Sequence, residues 1–533
     1  MATLLLAERR SAARMTDGFP SKVFWVTFLL TMALGTIWAL ASPLSGVPDE
    51  PSHVIRAASV VRGELLGEVP ADESVAEGSA YLRAVVRVVE VPGALNALGE
   101  FAPSYLQHFP CYAFDPQQHA GCHEFEAGPG GSAALITTAG EHPPVWYFVV
   151  GIPSLLSTNA AGVYAMRIVN VLLAAALIGL AAAALGWDRS TFGTAGLLLA
   201  LTPMVFFLMG GVNSSGPEIA AGMAVWGATL ALLRGETQPV WLISIAGVGA
   251  LALVLVRKPG PLWLLLIVAG ALIAVGSPER VRALIGRRAV QLWSVVVAAA
   301  VLFEVLWLTR VGTLGSAADG VASRGFAETM TASLGQAYQK QVVETVGFLG
   351  WLDLPVPDIA VAAWLVALGG MLVLGILSGA RRMLVAALLV ASTALLVMVT
   401  FEILESGTRF LFWQGRYSMP LLVGVPILLG VAVAEPVVRF GRRRVALLLS
   451  ALFVAAHGIA FFQYLRRNTV GVYGDPRFLW GPEWVPPLPP WLLFGLSMVV
   501  TLAVAWWFTR EPRFGEPDQT RPGSSREVSA EPI

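Results

Sequence analysis

Four short polar stretches in an otherwise apolar chain carry residue types that can do chemistry. Val47-Pro48-Asp49-Glu50-Pro51-Ser52-His53-Val54-Ile55-Arg56 sets two carboxylates before a proline, with an imidazole and a guanidinium on the following turns. Pro51 suits the first turn of a helix, which places Asp49 and Glu50 at its positive end and His53 and Arg56 on adjoining turns. Glu141-His142-Pro143-Pro144-Val145-Trp146-Tyr147 puts an acid and an imidazole before a second proline-led start. That pair suits a cation or a phosphate, and equally a solvated loop end. Asn213-Ser214-Ser215-Gly216-Pro217-Glu218 again brings a carboxylate to a helix start, where capping alone also accounts for Glu218. The fourth motif is composite: Arg257-Lys258-Pro259 and, far along the chain, Trp413-Gln414-Gly415-Arg416-Tyr417. Lysine occurs only three times in the chain, so Lys258 stands out, although snorkelling would also place it. Arg416 between Trp413 and Tyr417 suits a phosphate clamp or an interfacial aromatic belt.

Carboxylates together with Lys, Arg and His fit a transfer reaction from an anionic donor. A carboxylate takes the proton of an attacking hydroxyl, while basic groups or a carboxylate-held divalent metal, with Glu141 and His142 as its candidate ligands, offset charge on a departing phosphate. No glycine-rich nucleotide loop is present, so no nucleotide cofactor is expected. The chain has no net charge, and nothing in its balance points to nucleic acid.

These motifs need elements to hold them on one side. With 56% hydrophobic and 13% charged residues, the composition excludes a water-soluble core and predicts an all-α integral membrane protein. Apolar runs fall near 24–42, 161–185, 190–209, 216–234, 238–256, 259–276, 289–308, 358–378, 383–401, 417–435, 445–464 and 490–508, about twelve transmembrane helices. The first run is longer than the roughly 7–15 residue core of a cleaved signal, and is read as a retained helix. Arginines at 280–288, 381–382 and 442–444, with those of the N-terminus, mark cytoplasmic ends. Loops 43–141, 309–357 and 402–416 then lie outside, with all four motifs. Parity allows a single crossing between residues 141 and 188, so segment 143–157 is predicted to be an outer interfacial helix rather than a span. Residues 1–23 form a cytoplasmic N-terminus, 24–510 the membrane domain, and the Pro-, Glu- and Ser-rich residues 511–533 a disordered cytoplasmic tail.

Loop 43–141 holds both cysteines, Cys111 and Cys122, which in an oxidising compartment read as a disulfide. In loop 309–357, Phe326, Met330, Leu334, Val342 and Val346 recur at multiples of four and predict an amphipathic helix for the membrane surface or for covering a cleft.

Pro48-Asp49-Glu50 with His53, and Gln414-Gly415-Arg416-Tyr417 with Pro420, resemble the bacterial membrane-protein family of domain of unknown function 2142. The layout more distantly resembles polyprenyl-phosphate-dependent glycosyltransferases of the GT-C fold. The resemblance implies a bacterial cell-membrane enzyme with an extracytoplasmic active face and an acidic base, Asp49 or Glu50, in the first outer loop. It also implies Glu141 and His142 helping to hold metal and donor phosphate; the glutamate at 218, after Pro217, departs from the aspartate common in such enzymes. On this reading His53, Arg56, Asn213, Lys258, Gln414, Arg416 and Tyr417 line a substrate site. Its partners are a polyprenyl-phosphate-linked sugar, an envelope glycan or lipid acceptor, and membrane lipid. A transporter or lipid-linked glycan flippase, for which Glu304 and His457 are the evident in-span ionisable residues, and a non-catalytic envelope-assembly protein are the alternative readings.

Overall fold

Prolines at run starts and apolar runs without breakers dictate where the helices begin and how long they grow. The computed structural model describes residues 18–70, 85–102, 107–123, 125, 130–187, 192–235, 237–312, 324–404, 411–438 and 441–510. The expected cytoplasmic N-terminus, residues 1–23, lies outside the described residues as far as residue 17, and the expected disordered tail, 511–533, lies wholly outside them.

The principal helices are α1 (Ser21–Ala41), α2 (Glu50–Val61), α3 (Pro144–Gly151), α4 (Ala160–Trp187), α5 (Gly193–Ala200), α6 (Pro203–Met209), α7 (Ser215–Arg234), α8 (Val240–Val256) and α9 (Gly260–Val275). They continue as α10 (Arg288–Val311), α11 (Phe326–Gly335), α12 (Asp358–Leu377), α13 (Arg381–Leu404), α14 (Gly415–Leu422), α15 (Gly424–Ala432), α16 (Arg442–Val470) and α17 (Pro490–Thr509). Among the described residues nine helical stretches, counting α14–α15 as one, are long and apolar enough to cross a membrane, so the chain is an all-α integral membrane protein. The other three expected spans are also helical but differ in form. At 17 and 16 residues, α8 and α9 reach roughly 24–26 Å, short of a full hydrocarbon crossing of about 30 Å. Run 190–209 is split into α5 and α6, because Pro203 can open a helix but cannot donate within one.

Segment 143–157 forms only the eight residues of α3 and a 3₁₀ turn, Ile152–Leu155, too short to span. Trp146, Tyr147 and Val150 pack inward beside α2, whereas Phe148, Ile152 and Leu155 stay exposed. The described part of loop 43–141 folds around α2, which is buried along nearly its whole length under the antiparallel pair β1 (Arg87–Pro92) and β2 (Ser132–Thr137). The Cys111–Cys122 disulfide is present.

The single amphipathic helix expected over 326–346 is corrected. α11 ends at Gly335, and a π-helical turn, Gln339–Val343, shifts the register. Consequently Thr329 and Ser333 are the buried residues of α11, which packs beside α13, and Phe326 and Leu334 face outward. Farther on, Val343 and Val346 are buried and Val342 only partly.

Candidate functional site

Asp49 sits where α1 hands over to α2, in a left-handed conformation (φ 63°) that a short polar side chain tolerates. Its carbonyl accepts the His53 amide at 3.0 Å and starts α2, but its carboxylate caps nothing. Instead that carboxylate pairs with the Arg416 guanidinium of α14, across 367 residues of sequence. About 34% of the Asp49 side chain stays exposed, against 2% for Arg416, so the carboxylate is the open member of the pair. Burial pushes its carboxyl up, but Arg416, with His53 and Arg257, outweighs this and holds it below the usual carboxylate range.

The Tyr417 ring lies between two guanidinium groups, 5.4 Å from that of Arg416 and 4.9 Å from that of Arg257. Arg257, at the end of α8, donates to Ser215 Oγ and Glu218 Oε2, both at 3.2 Å. Glu218 is fully buried at the start of α7. Asn213 holds the neighbouring turn: its Nδ2 donates to the Pro48 carbonyl at 2.9 Å and its Oδ1 accepts from the Ser215 amide at 2.9 Å. Gln414 precedes α14, with its Oε1 buried.

A second group adjoins the first. His53 Nδ1 and the Tyr147 hydroxyl share a 2.7 Å hydrogen bond, and the His142 ring stacks 6.1 Å from that of His53. Burial pulls both imidazoles down, His53 to about 3, so both are neutral at physiological pH. Glu141 accepts from Lys258 Nζ at 2.7 Å, and its backbone carbonyl from Trp307 Nε1 at 3.0 Å. Arg56, fully buried, donates to the Leu65 carbonyl and lies about 6 Å from the Tyr147 and Trp307 rings.

Several buried donors in this region have no hydrogen-bond partner among the described residues: Nε and Nη1 of Arg56, Nε of Arg257, and Nε and Nη1 of Arg416. Guanidinium donors left open inside a protein are matched by an anion that brings several acceptor oxygens, and phosphate does so.

Glu50 is drawn away from the cluster, and its expected catalytic part is corrected. Both its oxygens are used, Oε1 by Arg167 Nε at 2.7 Å and the Val212 amide at 2.9 Å, Oε2 by Arg167 Nη2 at 2.6 Å. Arg167 also caps the end of α1 through the carbonyls of Ala39, Ser42 and Pro43, so the pair is a fully buried strut. A divalent ion at Glu141 and His142 does not fit either. The Lys258 ammonium occupies the Glu141 carboxylate, and no three His, Cys, Asp or Glu side chains gather with metal-holding geometry among the described residues.

The sequence reading missed Arg167 and Asn170. Asn170 donates to the carbonyls of Met209, Gly211 and Asn213. Two polar residues three apart in the first half of an apolar span were the signal, because they share one helix face. Glu344 was missed as well; it accepts the Gly415 amide at 2.6 Å and fixes the start of α14.

A comparison with curated proteins finds no match. Over residues 32–425, well over half of the chain and including every residue of the cluster, the sequence matches the family described as predicted membrane protein (DUF2142), and the chain belongs to that family.

Proposed function

We propose that this protein is an inverting glycosyltransferase of the bacterial cell membrane, working on the extracytoplasmic face. It moves one sugar from a polyprenyl-phosphate donor to an envelope glycan or lipid. The observation that carries the reading is the pairing of a partly exposed, ionised Asp49 with the buried Arg416 guanidinium, whose Nε and Nη1 have no partner among the described residues. The acceptor hydroxyl attacks the anomeric carbon as the bond from that carbon to the phosphate oxygen breaks, and Asp49 takes the hydroxyl proton. Arg416 and Arg257 bear the negative charge left on the polyprenyl phosphate, with Lys258 beside them. Neutral His53, bonded to Tyr147, and neutral His142 offer hydrogen bonds for orienting substrate without adding charge.

Asp49→Asn is the test. The variant should insert and fold as the wild type does while sugar transfer from a lipid extract falls by about 10²–10⁴-fold. Retained transfer removes Asp49 from the mechanism.

One observation favours transport instead: Glu304, buried in α10, has both carboxylate oxygens without a partner among the described residues. His457 gives no such support, because its Nε2 bonds the Leu201 carbonyl at 2.9 Å and its ring packs on Phe453. Under a transport mechanism Glu304→Gln abolishes function and Asp49→Asn spares it, the reverse of the transferase expectation.

A further inference from the structure

At the end of the bundle opposite Asp49, Lys22 lies at the start of α1, Arg442 and Arg443 open α16, and Arg510 follows α17. These four residues rim a groove of about 1360 Å³ between α16 and α17, and among the described residues no acidic one lines it. The volume exceeds the roughly 300–1,000 Å³ of an ordinary small-molecule cleft. Below the basic rim the walls turn apolar: Leu447, Leu502 and Trp506 are 60%, 56% and 63% exposed on helices long enough to cross a membrane. Ala451 and Ala455 keep the floor low, and Ser450 and Thr509 share a 3.0 Å hydrogen bond near the rim. The Arg510 guanidinium is fixed 3.4 Å from the Trp507 ring centroid and 5.1 Å from that of Trp506. A one-signed rim over an apolar trough that faces hydrocarbon matches a ligand with a negative head and a greasy body.

We propose that this groove binds one anionic glycerophospholipid of the leaflet at that end of the bundle. Its headgroup phosphate sits among Lys22, Arg442, Arg443 and Arg510, and an acyl chain runs over Ala451 and Ala455 between Leu447 and Leu502. The reasoning is charge complementarity with basic residues contributed by three helices. It does not depend on the chemistry proposed for the Asp49 cluster.

The full-length protein in a non-ionic detergent is mixed with phosphatidylglycerol or with phosphatidylcholine of the same chains, and bound lipid is read by native mass spectrometry. Phosphatidylglycerol is expected to be retained about tenfold or more over phosphatidylcholine. Arg442→Gln/Arg443→Gln/Arg510→Gln should erase that preference. Ala451→Phe, a change at an exposed position that fills the trough and leaves the charge untouched, should lower retention of the anionic lipid even if the triple variant fails to fold. Equal retention of the two lipids by the wild type, or unchanged phosphatidylglycerol binding by Ala451→Phe, overturns the proposal. Displacement of the lipid by inorganic phosphate overturns it too, since the site is then one for a free anion. Deleting residues 511–533 should leave retention unaltered; a large gain shows that the groove belongs to the chain's own tail.

Discussion

Asp49 and Glu50 are adjacent carboxylates with opposite surroundings, and substitution separates their roles. Glu50 is buried against Arg167, so Glu50→Gln leaves a guanidinium without its counter-charge and should cost about 3–5 kcal/mol. The expected result is a large fall in melting temperature, larger than that of Asp49→Asn, which removes a partly exposed carboxylate from Arg416. His53 gives a pH signature. Its folded value, about 3, lies below its ordinary 6.5, so between those limits the unfolded chain binds more protons than the folded one. The stability it contributes is complete above about pH 6.5 and is lost as pH falls toward 3. Melting curves at pH 7.5 and pH 5 should show wild type losing stability at the lower pH, and His53→Gln losing less. Asp49, Lys258 and Arg416 were legible in the sequence because a charge beside proline or aromatic residues is rare in an apolar chain. Arg167 was not, because its meaning lies in Glu50, 117 residues away, and no local pattern announces such a partner.

At the scale of elements, helix existence was legible and helix form was not. Apolar length announced every span, but the break at Pro203 and the π-helical turn after α11 depend on what neighbouring helices present to them. The contact between α5 and α15 is an example. A Cβ added to Gly196 would come 2.5 Å from the Pro426 carbonyl oxygen, and one added to Gly430 would come 2.7 Å from the Gly196 Cα. Two glycines thus let the backbones touch, as small residues do between membrane helices. Gly196→Val should force α5 and α15 apart, cost about 1–3 kcal/mol, and appear as a lower melting temperature. The partner of Gly196 lies more than two hundred residues away, so nothing in the sequence around it marks the contact.

For the whole molecule, the arginine-bearing loops between helices meet at one end of the bundle. Arg280 donates to the Leu233 carbonyl, Arg287 to that of Gln238, and Arg382 to those of Ile273 and Gly276, so these basic loops tie together at the end away from Asp49. Under the proposed orientation, Gly130→Cys should react with a membrane-impermeant thiol reagent on intact cells, and Glu279→Cys only after permeabilisation. The opposite pattern reverses the orientation. The disulfide-closed segment also fixes an order of events. The segment around Cys111 and Cys122 is tied to chain made much later: the Trp351 ring packs on those of Phe109 and Phe114, Arg467 donates to the Tyr112 carbonyl, and the Val472 amide to that of Pro116. During synthesis the disulfide, only eleven residues across, can close while those anchors are still inside the ribosome. The nascent protein therefore carries a stapled but untethered segment, and the Asp49–Arg416 pair forms only as the last third of the chain enters the membrane.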